Sequence, residues 1–166
     1  ITEALSAMVE RLHEFNPQLR ILFTVSPIRH IADGLEVNSL SKATLRVAVA
    51  NVNRVYRDFT AYFPAYEIVM DDLRDYRFYA ADMVHPSDVA IGYIWQSFQA
   101  AYFDDASTQA IARCERVMKR LTHRPMTANR EIVERFYADT KAVVTNLVKE
   151  YPYIANIKEI NDLISE

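Results

Sequence analysis

The apolar positions of the first fifteen residues recur at helical spacing. Leu5, Met8, Val9, Leu12 and Phe15 share one face, and Thr2 stands where a cap is needed. Asn16-Pro17 ends that helix, because a residue preceding proline is pushed out of the helical region. Arg20-Ile21-Leu22-Phe23-Thr24-Val25 then runs almost continuously apolar, the pattern of a strand buried on both faces. Residues 26–39 are polar and read as a loop. Ser39 or Ser41 next caps a long helix with Leu45, Val49, Val52, Tyr56 and Phe59 inward, and Pro64 stops it. Tyr66-Glu67-Ile68-Val69-Met70 is a second short apolar run, assigned as a strand. Strand, helix, strand predicts a βαβ unit with parallel strands and a right-handed crossover.

From Ser87 onward the pattern is helical. Pro86-Ser87-Asp88 opens a helix bearing Val89, Ile91, Tyr93, Ile94, Trp95 and Phe98, apolar around most of its circumference and so expected to be well buried. Asp104 or Asp105 caps the next, with Ile111, Cys114, Val117, Met118 and Leu121 inward. Pro125 and Asn129 separate it from a third over residues 131–150. Pro152 precedes a short last helix with Ile157, Ile160 and Ile164. Two parallel strands do not make a stable sheet alone, and the chain starts Ile1-Thr2-Glu3 without a methionine. Both features read as a segment of a longer protein.

Composition narrows the function. Net charge is −3, from 19 basic and 22 acidic side chains that are scattered rather than massed, which disfavours nucleic acid as a partner. No apolar run approaches the roughly 20 residues that span a bilayer, so no membrane partner is expected. The one cysteine, Cys114, excludes an internal disulfide and fits a reducing, cytoplasmic setting. Only two glycines occur, Gly34 and Gly92, which rules out glycine-rich phosphate loops and G-x-S-x-G elbows within the chain. The histidines are widely separated and no H-x-x-x-H or paired cysteines appear, so neither a metal nor a cofactor is expected.

The chemistry concentrates in Asp82-Met83-Val84-His85-Pro86, between the second predicted strand and the helix that follows it. A carboxylate three residues before a histidine can fold back onto Nδ1, fix the tautomer and leave Nε2 as a base. Taken by spacing alone, D-x-x-H is a common string, and Asp82 has a second reading as a cap of the turn. Ligands of open parallel sheets sit beyond the carboxyl ends of the strands. That places residues 26–39 and 71–85 around one cleft, with Ser26, Arg29 and His30 in the first loop. Arg29 and His30 read either as ordinary exposed loop residues or as binders of an anionic or carbonyl group.

Phe23-Thr24-Val25-Ser26-Pro27-Ile28-Arg29-His30, Tyr62-Phe63-Pro64-Ala65-Tyr66-Glu67-Ile68 and residues 75–87, Asp75 to Ser87, together resemble the GSCFA domain family, itself similar to the SGNH (GDSL-like) hydrolases. The resemblance implies an α/β fold, the SGNH-hydrolase-like (flavodoxin-like) three-layer parallel sheet. Only its C-terminal part is expected here, over residues 1–103, with a largely helical extension, residues 104–166, packed on it. It also implies a nucleophile-His-Asp triad in which Asp82 orients His85 and His85 is the general base. The family's Gly-Ser-Cys-Phe-Ala motif is not in this chain, so the attacking residue is expected upstream and the isolated chain is expected to be inactive.

The expected activity of the full-length protein is ester or acyl hydrolysis, or acyl transfer. The substrate would be a small molecule, or a glycan or other acyl ester, and Ser26, Arg29 and His30 would contact it. The exposed sheet edge offers a route to self-association. The other reading is a noncatalytic ligand-binding or protein-interaction domain that keeps the same fold.

Overall fold

Helix α1 spans Thr2–Phe15 and turns Val9 fully inward, with Ile1 rather than Thr2 at its N-cap. The computed structural model describes residues 1–165, and the inward placement expected of Ile164 falls outside the described side chains. His13 stacks on Phe59 with ring centroids 3.9 Å apart. That stack lays the last turn of α1 against the chain leading into the second strand.

Strand β1 (Ile21–Phe23) pairs in parallel with β2 (Thr60–Tyr62), with Ile21 opposite Thr60 and Phe23 opposite Tyr62. Between them lies helix α2, Gly34–Val55, entered through a 3₁₀ turn at Ile31–Asp33. It starts at Gly34, well before Ser39 or Ser41, and Asn38 within it accepts the His30 N–H on Oδ1 at 2.9 Å. Its inner face buries Ala48, Val49 and Val52.

The second strand is therefore not where the apolar run places it. Residues 66–70 are helical: a short α3 (Ala65–Glu67) passes into a π-helical turn over Ile68–Asp72. The buried positions explain this. Ala65, Ile68, Val69 and Leu73 fall three and four apart, a helical period, while the true strand is only three residues long. Arg46 of α2 pairs with Glu67, and Glu67 also accepts from the Tyr62 hydroxyl at 2.7 Å, tying helix, strand and α3 together. Burial, followed by the bond to Glu67, pushes the Tyr62 phenol well above its ordinary range.

The three-layer parallel sheet implied by the family resemblance is also corrected. The described structure is 71% helical, and its one sheet has two strands. The apolar run expected to supply the second strand is absorbed into helix.

The chain divides into two compact units, residues 1–101 and a second from Tyr102 onward. In the first, Phe63, Ala65, Ile68, Val69, Leu73 and Ala90 form a core on which Phe78, Tyr79, Ile94 and Phe98 pack. Helix α4 (Asp88–Tyr102) fully buries only Ala90. The deep burial expected from its all-round apolar surface is not found, since Val89 is 69% and Ile91 53% exposed. Ala90, Ile94 and Phe98 face the core, and Ile91, Ile94, Trp95 and Phe98 line a groove.

In the second unit, Asp104 caps helix α5 (Asp105–Thr122) by accepting the Ser107 N–H at 2.8 Å. Asn129 caps α6 (Arg130–Glu150) in the same manner. A 3₁₀ turn at Pro152–Asn156 leads into α7, Lys158–Ser165. Val117, Val144, Leu147, Ile154 and Ile160 form the core, with Cys114 packed at its margin.

Candidate functional site

The segment 79–86 closes on itself. Tyr79 and Pro86 form an antiparallel bridge, Ala80 N–H donates to the His85 carbonyl at 2.8 Å, and Ser87 N–H donates to the Phe78 carbonyl at 2.8 Å. The reversal inside this loop needs a left-handed residue, and Met83 supplies it at φ 60°. An L side chain there costs about 1–2 kcal/mol, so the surrounding contacts must hold it.

Asp82 is the main contact. Its Oδ1 accepts the N–H groups of Val84 at 2.9 Å and His85 at 3.0 Å, and its Oδ2 lies 2.6 Å from His85 Nδ1. One carboxylate thus serves both readings of the motif, turn cap and histidine orienter. The His85 N–H first, then the Val84 N–H and the His85 ring, hold the Asp82 carboxyl down to about 2. A neutral ring facing a carboxylate places its proton on Nδ1, which leaves Nε2 as the acceptor. Among the described residues no hydrogen bond engages Nε2, and the His85 side chain is 57% exposed.

Arg29 is engaged on this turn. Its Nη1 donates to the Met83 carbonyl at 3.2 Å, its N–H donates to the Val84 carbonyl at 3.3 Å, and its guanidinium lies 4.0 Å over the Tyr79 ring. It buttresses the left-handed residue and its neighbour. His30 is exposed and outside the groove, with its backbone N–H donated to Asn38. Ser26 does share a surface with His85. Its Oγ accepts the Ile28 N–H at 3.2 Å, and its carbonyl accepts from Lys42 Nζ at 2.6 Å.

That shared surface is an open groove of about 520 Å³. Thr24, Ser26 and His85 contribute its polar groups, and the rest of its wall includes Ile28, Phe63, Ile91, Ile94, Trp95 and Phe98. Sequence reasoning passed over Ile91, Ile94, Trp95 and Phe98 because they read as core, and over Ile28 because it lies in the first loop. It also passed over Lys42, which is 3% exposed and whose amine is pushed below its ordinary range by burial. A signal for Lys42 existed: it stands three, seven and ten residues before Leu45, Val49 and Val52, on the inward face of α2.

Among the described residues no cluster of three or more histidine, cysteine or acidic side chains is placed to hold a metal ion. No helix there is long and apolar enough to cross a membrane. Neither the curated proteins nor the solved structures contain a match to the chain. The model of the GSCFA family matches residues 1–98, which include both loops of the site and the whole Asp82–His85 turn, and the chain belongs to that family.

Proposed function

We propose that Asp82 and His85 are the acid-and-base arm of an acyl-transfer centre, acting in ester or acyl hydrolysis, or in acyl transfer, in the full-length protein. The observation that carries this is the 2.6 Å contact between Oδ2 and Nδ1. It supports a ring whose second nitrogen is a proton acceptor on the groove wall.

In this reaction an attacking hydroxyl, thiol or water bonds to the carbonyl carbon while Nε2 takes its proton. The imidazolium is stabilised by Asp82. It returns the proton to the leaving alcohol oxygen as the carbon–oxygen bond breaks. With water as the final acceptor the products are acid and alcohol; with a second alcohol the acyl group is transferred. Ser26, on the same groove wall, is a candidate substrate contact.

The test is hydrolysis of short-chain aryl esters by the full-length protein. His85→Ala is expected to lower kcat/KM about 100-fold or more. Asp82→Asn keeps an oxygen for the two backbone N–H groups but presents an amide donor to Nδ1, selecting the opposite tautomer, and is expected to lose a comparable factor. Turnover within threefold of wild type in both variants would refute the catalytic reading. Ligand binding in the groove that persists alongside such a result favours the noncatalytic alternative.

A further inference from the structure

We propose that the groove beside His85 is a binding site for an uncharged hydrocarbon chain, the acyl or alkyl part of a neutral ester or thioester. This rests on the functional reading above for the word ester, and on the groove itself for the hydrocarbon. Six side chains carry the argument: Ile28, Phe63, Ile91, Ile94, Trp95 and Phe98. Phe98 meets Phe63 edge-to-face at 5.0 Å and stacks with Trp95 at 5.8 Å, so the three rings pack on one another in the wall. Ile91, at 53% exposure, and Trp95, at 41%, leave large apolar surface open to solvent on a helix whose other stripe is buried. Removing such surface from water favours an apolar occupant in proportion to the area covered.

The chemistry of the wall narrows the occupant. No lysine, arginine, aspartate or glutamate lines the groove, so a carboxylate, phosphate or ammonium would meet no opposite charge. A sugar would find few partners for its hydroxyls, since the polar groups are those of Thr24, Ser26 and His85 and the indole N–H of Trp95. A chain with one polar carbonyl matches a wall with one small polar cluster. The groove is continuous with the proposed chemistry because His85 belongs to both, so the carbonyl sits by the imidazole when the hydrocarbon lies along α4.

Trp95 is the only tryptophan of the chain, so intrinsic fluorescence reports this groove directly. The probes are the 2-alkanones from 2-pentanone to 2-undecanone, neutral and unreactive mimics of an ester carbonyl with a growing tail, with methyl glucoside as the polar comparison. Titrated into this chain, the alkanones are expected to shift Trp95 emission, and Kd is expected to tighten about fourfold per added methylene until the groove is filled. Methyl glucoside is expected to give no shift. Ile91→Asn and Ile28→Asn, both at partly exposed positions, are expected to flatten the series while circular dichroism and the unfolding midpoint stay near wild type. Two variants are used so that misfolding of one leaves the other to decide.

Affinities that do not rise with chain length, or a shift with methyl glucoside and none with the alkanones, would overturn the assignment. His85→Ala separates the two proposals. A graded alkanone series in that variant, with ester turnover indifferent to His85, removes the catalytic reading and keeps the hydrocarbon site. Turnover dependent on His85 with a flat series does the reverse.

Discussion

Arg29→Ala removes the buttress of the Asp82–His85 turn, and its effect can be worked from the contacts. The guanidinium donates to the Met83 carbonyl at 3.2 Å, a charged but long and exposed bond, which brings it down to the ordinary net value of a hydrogen bond, about 1 kcal/mol. The cation over Tyr79 at 4.0 Å contributes about 1 kcal/mol more, and Tyr76 at 5.8 Å adds little. The backbone bond from Arg29 N–H to Val84 survives the substitution. The turn is therefore expected to lose about 2 kcal/mol against local opening, or about 30-fold in its opening equilibrium.

Amide hydrogen exchange reads this directly. Ala80, Met83 and Ser87 donate backbone bonds that close the loop, and their amides are expected to exchange about 30-fold faster in Arg29→Ala. Amides in the core of α2 are expected to be nearly unchanged. Arg29→Lys keeps the charge near the carbonyl but loses the planar stack, so about fivefold is expected. Exchange at the three loop amides within threefold of wild type in Arg29→Ala would refute the buttress.

Protonation of Asp82 is a second lever. Its carboxyl is held down to about 2 from an ordinary 3.8, so folding favours the ionised form. The contribution is complete above about pH 4 and lost as the pH falls through 2, and the loop amides are expected to lose protection across that window in wild type but not in Asp82→Ala. In the same variant the ¹⁵N shifts of His85 are expected to report the Nε2–H tautomer gaining on the Nδ1–H form; an unchanged tautomer would remove Asp82 as the orienter. Val52→Ala, at a fully buried site, is expected to cost about 2 kcal/mol in urea unfolding. Val47→Ala, 61% exposed on the same helix, is expected to stay within about 0.5 kcal/mol. Lys42 has its amine lowered by burial, so the unfolded chain holds that proton more tightly. The stability of wild type relative to Lys42→Met is therefore expected to rise as the pH climbs toward the ordinary lysine value of 10.5, and a flat difference in urea midpoints would refute this.

Several elements were legible because local and tertiary signals agree. The periodicity of residues 2–15 and the Pro17 stop give α1, and the acidic cap at Asp104 and Asn129 mark α5 and α6. The parallel pairing was legible, but only one of its strands. Thr60-Ala61-Tyr62 has three residues and sits directly behind Tyr56 and Phe59, which extend the apparent pattern of α2. The five residues from Tyr66 carry enough apolar character for either period, and only the burial of Ala65, Ile68, Val69 and Leu73 decides. At the site, the three-residue separation of Asp82 and His85 made their contact readable, since so short a loop leaves few other partners. The groove was not readable, because an apolar side chain facing the core and one facing a ligand look alike in a sequence.

The acid and the ring stand inside a loop whose closing hydrogen bonds all lie between Phe78 and Ser87, with Arg29 as the distant residue that bonds to it among the described residues and Phe78 and Tyr79 resting on the core at its base. Such a cassette takes its hydrogen bonding from neighbouring chain, and the core it rests on does not include Val49 or Val52. Substitutions around Val49 or Val52 then shorten the life of the native state while leaving the dyad undistorted in every molecule that remains native. Decline under mutational load is in this case a census effect: fewer competent copies, each as competent as before.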